Sequence, residues 1–425
     1  MTEMHDLVII GAGGAGLSTS WRLCRLGVPH VVLERGRPGE TWSRERWDSF
    51  TLVNPNWAVR LPGFEYRGDD PDGYLSRDAV VQHLCDYAAS FGAPVKAGVD
   101  VTSLEKTSHG YLLRTNKGDI RTGTVIVATG AFGAPSLPPF AGSISPRILQ
   151  LHSSQYKNAD QLPPGAVLVV GSGQSGAQIM EDLFDAGRKV CLAVSRAGRR
   201  PRRYRGRDSS WWNNRMGQFD RTIDDVPTLD VRFGNSSHTS GTKGGHDIYL
   251  RAFARDGVTL LGRMEGADGE ALRFATDLRP VLDAADQHAI DWRKRVDDFV
   301  AANSLDAPLE PNPDPEGLDR YSEGGAVAEL DAAEQGITSM IWATGFRYDF
   351  SWIRLPVAGD RGFPVQRRGV TAWRGLYFVG LQWMYSAKSA QFIGVGEDAA
   401  YVAEHAASRI QSVDRPQSQG EDAAS

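Results

Sequence analysis

The chain has little cysteine: Cys24, Cys85 and Cys191 are the only three in 425 residues. No two of them form a CxxC pair, which argues against a dithiol redox centre or a zinc ribbon. No apolar stretch approaches the roughly 18 residues that a membrane span needs. The start, Met1–Asp6, is polar, and Leu7–Ile10 is too short for a signal peptide, so that run reads as a strand. There is no basic excess either, since 47 Lys and Arg stand against 52 Asp and Glu, a net charge of −5. A globally basic nucleic-acid binder is not expected. No Ser-His-Asp set and no metal-ligand cluster is visible, so no metal is expected. What remains is a soluble, cytoplasmic protein of two or three domains, at roughly 150 residues each. Glycine is the abundant residue, at 47 positions, and it gathers at the ends of apolar runs. Such placement suggests tight turns and close approach of backbone to ligand.

The first of these clusters follows Leu7–Ile10: Gly11, Ala12, Gly13, Gly14, Ala15, Gly16. Leu17, Trp21, Leu23 and Leu26 then recur at helical spacing, and Val31–Leu33 is a second strand closed by Glu34. This is a complete βαβ unit of the dinucleotide-binding kind. Gly11 makes the turn, Gly13 lets a pyrophosphate reach the backbone, and Gly16 lets the helix pack on the sheet. The phosphates sit on the helix N-terminus, where free N–H groups favour anions. Glu34 is suited to a ribose diol, as in FAD or NAD.

A second unit spans Ala166–Arg196, with Gly171, Ser172, Gly173, Gln174, Ser175 and Gly176 as its loop. Ser195 and Arg196 stand where the first unit has Glu34. An acid repels a 2′-phosphate, whereas serine and arginine bind one, so this site should prefer NADPH. Arg199, Arg200, Arg202, Arg203, Arg205 and Arg207 follow closely. This run is a solvated basic loop, a cradle for the 2′-phosphate, or a nucleic-acid contact, the last disfavoured by the net charge.

Two further strands end alike. Val125–Val127 runs into Ala128, Thr129, Gly130, and Met340–Trp342 into Ala343, Thr344, Gly345. The long stretch between the second unit and the second of these strands must carry extra structure, such as a lid or substrate wall. The expected fold is α/β, two Rossmann-like dinucleotide-binding domains with an α-rich insertion. A first FAD segment is expected at 1–135, a linker at 136–162, an NADPH domain at 163–345 with its insertion at about 200–325, a closing FAD segment at 346–411, and a disordered tail at 412–425.

With two such loops and two such strands in this order, the chain resembles the flavin-containing, class B monooxygenases and their bacterial relatives, often labelled putative flavoproteins involved in potassium transport. Gly39 and Trp42 match the family's Gly-x-x-Trp element, and GLYFVGLQW with GVGEDAAYVAEHA resembles its closing strand and helix. His152 and Tyr156 match the family fingerprint, while Pro146 and Ile148 stand where it has Phe and Gly. The resemblance implies FAD on the first loop, with Gly14, Ala15, Arg35, Thr41, Trp42, Thr129, Gly130 and Gln391 among its contacts. It implies NADPH on the second loop, with Ala343, Thr344 and Gly345 nearby. It further implies oxygenation of a small organic molecule by O2 through a flavin C4a-peroxide, at nitrogen, sulfur or a carbonyl. Asn54 or Asn56 would supply an amide beside the flavin, and Lys388 a cation for a developing anion. His152 reads as a hinge between domains. Trp211, Trp212 and Trp383 are candidates for an apolar substrate wall. The departures at Pro146 and Ile148 keep two alternatives open: a reductase or oxidase without oxygenated product, and a non-catalytic flavin redox sensor. A homodimer is compatible with all three.

Overall fold

The computed structural model describes residues 3–195, 198–234, 238–310, 314, 318 and 327–414. Near-continuous Val, Ile and Leu runs make strands that are buried on both faces, the mark of a parallel sheet between helices. Glu3–Ile10 lies at the centre of the first sheet, parallel to Val31–Glu34 on one side and to Gly118–Val127 on the other. Val95–Ala97 extends the sheet beyond Val31–Glu34. Gly118–Val127 has a divided edge. Its first half pairs antiparallel with Gly110–Thr115, which pairs in turn with Val101–Thr107. Its second half pairs in parallel with Leu376–Phe378, which comes from the far end of the chain.

The second sheet is wholly parallel. Its order is Leu149–His152, Ile337–Trp342, Ala166–Val170, Val190–Ala193, Thr259–Leu261. Two expected boundaries change as a result. The supposed linker 136–162 contains Leu149–His152, an edge strand of this sheet. The supposed insertion at 200–325 is interrupted by Thr259–Leu261, another of its strands. A three-stranded antiparallel sheet, Met264–Asp268, Ala271–Phe274 and Glu329–Asp331, follows directly. Of the expected insertion, the helices Ser209–Arg215, Leu250–Arg255 and Leu278–Ala302 remain. The last helix, Val395–Asp414, packs on Gly14–Arg25 and reaches three residues into the expected tail; the rest of that tail lies outside the described residues.

Three apolar clusters follow this layout. The largest unites the first sheet with its helices and one side of the second sheet. Another fills the opposite side of the second sheet, and there Ile148 is buried among Ile144, Met264 and Trp342. That burial explains an apolar side chain where the fingerprint has glycine. The third, Tyr204, Trp212, Trp292, Val296 and Val300, belongs to the inserted segments alone.

Gly375 leads into the closing strand at φ +85°, and a Cβ there would lie 2.6 Å from the Gly123 carbonyl oxygen. Gly375→Ala should therefore cost about 1–3 kcal/mol through backbone strain and loss of strand docking. A clear fall in Tm on thermal unfolding checks this; an unchanged Tm would contradict the docking of Leu376–Phe378.

Candidate functional site

The two glycine loops repeat one set of contacts. Gly11 has φ +106°, and a Cβ on it would sit 2.6 Å from the Ala128 carbonyl oxygen. Gly171 has φ +100°, and its Cβ would sit 2.7 Å from the Ala343 carbonyl oxygen. A Cβ on Gly16 would run into the Gly11 carbonyl, and one on Gly176 into the Gly171 carbonyl. The Ala-Thr-Gly strand ends thus support the loops from beneath, while Gly130 and Gly345 turn away at φ +79° and +84°. Gly13 differs: nothing lies within 4 Å of the place its Cβ would take.

The helices Gly14–Arg25 and Gln174–Asp185 both begin with a glycine N-cap, without a side-chain cap and without an acid in the first turn. Their first N–H groups have no intrahelical partner and their dipoles favour an anion. Donors, open space and charge all fit a pyrophosphate at each loop. Around the first loop, Phe392 approaches Gly14, and Ala15 approaches Gly380 at φ +79°. Trp42 stacks on Phe392, with ring centroids 6.0 Å apart and 25° between planes. Thr41 is half-buried on the same short helix, Glu40–Glu45, and Arg35 pairs with Glu45 at 3.0 Å.

The ribose ends differ. Glu34 accepts hydrogen bonds from Ala12 N–H at 2.8 Å and Gly36 N–H at 3.0 Å, one on each carboxylate oxygen. Each oxygen keeps a lone pair for a diol. In the second unit the Ser172 hydroxyl takes over the bracing, accepting from Ser195 N–H at 2.8 Å and donating to the Ser195 carbonyl at 3.0 Å. Sequence reading passed over Ser172, whose burial inside a glycine loop is its only signal. Gln174 donates to the Thr239 carbonyl, and His238 bonds the Ser172 carbonyl, so an inserted segment leans on this loop. Ser175 is half-buried at the helix start. Arg196 lies outside the described residues.

The remaining candidates separate. Asn54 donates to Gln391 Oε1 at 2.8 Å and accepts from the Ser210 hydroxyl at 3.3 Å, which joins the first domain, the closing segment and an inserted helix. Asn56 points elsewhere, donating to the Asp70 carbonyl at 2.9 Å. Lys388 is not a free cation. Its ammonium lies 2.6 Å from both Asp220 and Glu397. Burial opposes its charge, but these carboxylates outweigh burial and hold its pKa above the lysine range. Such a lysine clasps the insertion to the closing helix. Trp212 is likewise no wall residue: it is buried, and its Nε1–H donates to the Tyr204 carbonyl at 2.7 Å. Trp211 is half-buried against it, ring to ring at 4.8 Å. Trp383 sits at φ +48°, its carbonyl accepting from Arg232.

His152 Nε2 lies 3.0 Å from the Gly345 carbonyl, and Nδ1 accepts from Ser154 N–H at 3.2 Å. That pattern requires the neutral Nε2–H tautomer, and burial lowers the pKa accordingly. Among the described residues no group of three or more His, Cys, Asp or Glu could hold a metal ion, and no helix is long and apolar enough to cross a membrane.

Residues 8–237 match the pyridine nucleotide-disulphide oxidoreductases. The chain belongs to that family. It is 32% identical over 405 residues to a Geobacillus kaustophilus protein named "Uncharacterized oxidoreductase CzcO-like", across 95% of this chain and 98% of that one. Its fold matches the flavin-containing monooxygenase of Stenotrophomonas maltophilia, with TM-score 0.64, 20% identity and coverage of 96% and 99%. It also matches OTEMO, solved in complex with FAD and NADP, with TM-score 0.55, 17% identity and coverage of 97% and 86%. The protein is thus an oxidoreductase of this family with the fold of flavin monooxygenases. Despite the family's title its three cysteines are free, on a helix surface, a second helix and a buried strand.

Two outcomes test this geometry. Gly13→Ala should leave fold and Tm nearly intact and remove most bound flavin, because its Cβ enters open space needed by a pyrophosphate. Gly16→Ala should impair folding itself; equal behaviour of the two variants in circular dichroism and flavin content would refute the distinction. The second outcome concerns Asp398, a buried carboxyl near Ser389 at the start of the last helix. Burial pushes its pKa up to about 6 from 3.8, with Ser389 and Arg368 acting the other way. A raised carboxyl favours the folded state most when protonated, so its contribution is lost as pH rises from 3.8 through about 6. Asp398→Asn should stabilise the protein by about 1–3 kcal/mol at alkaline pH, with the gain vanishing towards acid. Thermal melts across pH check the sign.

Proposed function

We propose that the protein is an NADPH-dependent FAD monooxygenase that inserts one oxygen atom into a small organic molecule in the cytoplasm, with O2 as cosubstrate. The observation behind this reading is the unequal pair of loops: one closed by the acid Glu34, the other by Val194, which stands in the place of that acid where the sequence suggested Ser195, followed by Ser195. Gly11, Gly13 and the helix start at Gly14 hold the FAD pyrophosphate, and Glu34 takes the ribose diol. Gly171, Gly173 and Gly176 hold the NADPH pyrophosphate, and Ser195 with Arg196 takes the 2′-phosphate. Bound flavin supplies hydride acceptance and reaction with oxygen. Asn54, its amide orientation fixed by Gln391 and Ser210, presents a polar edge to the reacting region. The inserted segments exclude water: Thr222 bridges Ser386, and Gly241 lies against the Leu52 carbonyl. The printed names of the Stenotrophomonas and OTEMO relatives support the flavin and the coenzyme. The target atom is a soft nitrogen or sulfur, or a carbonyl carbon.

The test follows NADPH consumption, product mass and H2O2 yield together across amines, sulfides and ketones. A product one oxygen atom heavier, with H2O2 well below NADPH consumed, is expected. Full conversion of NADPH to H2O2, with fast reduction of an artificial acceptor, selects the reductase reading that Pro146 and Ile148 favour. Arg196→Ala should raise KM for NADPH about tenfold or more and leave that for NADH nearly unchanged. Equal effects on both coenzymes would remove Arg196 from the 2′-phosphate site.

A further inference from the structure

The arginine run after the second unit has a use that its partners reveal. Arg199 is held by Asp247, Asp286 and Asp314. Arg205 bonds Asp297 at 2.9 Å and the Pro308 and Ala307 carbonyls. Arg202 is 2% exposed; it donates to the Val53 carbonyl at 2.6 Å and the Tyr74 hydroxyl at 2.8 Å, and pairs with Asp208 at 2.8 Å. Arg207 stacks on Trp211, and Arg203 reaches the Gly244 carbonyl. Arg200 stands apart. Its Nε is buried with no hydrogen-bond partner, and no carboxylate among the described residues pairs with it.

The charges around Arg200 do not balance it. Arg202 and Arg295 repel it, and Asp208 alone attracts it. Asp208 is already committed, accepting from Ser210 N–H at 2.6 Å and from the Tyr74 hydroxyl at 2.7 Å besides its pair with Arg202. Burial and the neighbouring arginine push the Arg200 pKa down to about 10, so the cation is retained at neutral pH under strain. Arg200 is half-buried, but a cation with a buried, unpartnered Nε–H and no counterion is costly, and a ligand anion relieves it. The neighbourhood decides which anion. Arg200 is coupled to Arg202, whose guanidinium holds the carbonyl of Val53, next to Asn54. Ser210, beside Asp208, also touches Asn54. Arg202 and Ser210 thus flank the Asn54–Gln391 cluster, and Arg200 neighbours Arg202 there, whereas a 2′-phosphate is expected at Ser195.

We propose that Arg200 is the core of an anion subsite that receives the carboxylate of an organic acid substrate beside Asn54. A guanidinium offers Nε–H and Nη–H side by side, which matches the two oxygens of a carboxylate. The assignment rests on Asn54 marking the substrate end of the site.

The test titrates the purified FAD-loaded enzyme by isothermal calorimetry with benzoate and with benzamide, its neutral isostere, and separately with NADPH and NADH. Benzoate should bind about tenfold or more tightly than benzamide. Arg200→Met should abolish that preference and Arg200→Lys should keep part of it, with the NADPH-over-NADH preference unchanged in both. Circular dichroism and flavin content verify the fold, and Arg200→Lys carries the test if Arg200→Met does not fold. Loss of the NADPH preference in Arg200→Met, with the benzoate preference intact, assigns the arginine to the 2′-phosphate and overturns the proposal. A wild type without benzoate preference overturns it as well. Oxygen incorporation is measured separately, so an intact benzoate preference with full H2O2 release defeats only the oxygenation reading.

Discussion

Everything in this molecule depends on a knot where the chain crosses between its two sheets, once outward and once back. The Gly345 carbonyl accepts from Ser136 N–H at 3.0 Å and meets His152 Nε2 at 3.0 Å. Phe346 and Arg347 pair with Pro135 and Ala134. The outgoing and returning segments are thereby zipped into one ribbon, and His152 ties the edge strand of the second sheet to the turn after its neighbour, Ile337–Trp342. A single linker would leave the sheets free to swivel; two linkers bonded to each other restrict that motion to bending. The ring's burial keeps it neutral, and a second proton would set Nδ1–H against the Ser154 N–H. Burial lowers the pKa of His152 and so favours the neutral ring that these bonds require.

The same economy explains the loops. A strand that must turn sharply into a helix brings its first glycine onto the carbonyl of the neighbouring strand, and both halves of the chain solve this with alanine at that place. The halves then diverge at one function. Glu34 braces its own loop with a charged side chain, while Ser172 braces the second loop with a neutral one. The braces differ in geometry, since Glu34 reaches from the strand end to Ala12 N–H and Gly36 N–H while Ser172 reaches from the loop to both backbone groups of Ser195, and only the second leaves its ribose end without negative charge. The charge difference between the two ribose ends thus follows from which residue does the structural work.

Much of this was legible in the sequence, and the limits have physical reasons. The glycine loops, the Ala-Thr-Gly strands and the closing strand were readable because each is fixed by local geometry. Leu149–His152 and Thr259–Leu261 were not, since three or four residues carry no period of their own and become strands only against a neighbour. Asn54 and Asn56 were indistinguishable because the turn at Pro55 sends them to different partners. The arginine run was visible, but its fate was not. Asp247, Asp286, Asp297 and Asp314 lie about 50 to 115 residues further on, and only folding reveals that they neutralise Arg199 and Arg205 and leave Arg200 unpaired.

That pairing also sets how the inserted segments are attached. Their own core of Tyr204, Trp212, Trp292, Val296 and Val300 is apolar and separate. Their seam with the rest of the chain is mixed: Ile248, Leu250 and Leu282 join the main apolar cluster, while Lys388 with Asp220, Arg202 with the Val53 carbonyl and Ile223 N–H with the Tyr385 carbonyl are polar. Apolar burial resists salt, whereas partly exposed ion pairs such as Lys388 with Asp220 weaken in it. Beside Asn54 the inserted segments are thus joined to the scaffold in part by contacts that ionic strength weakens. A substrate anion at Arg200 would add one more charge-assisted contact to that seam.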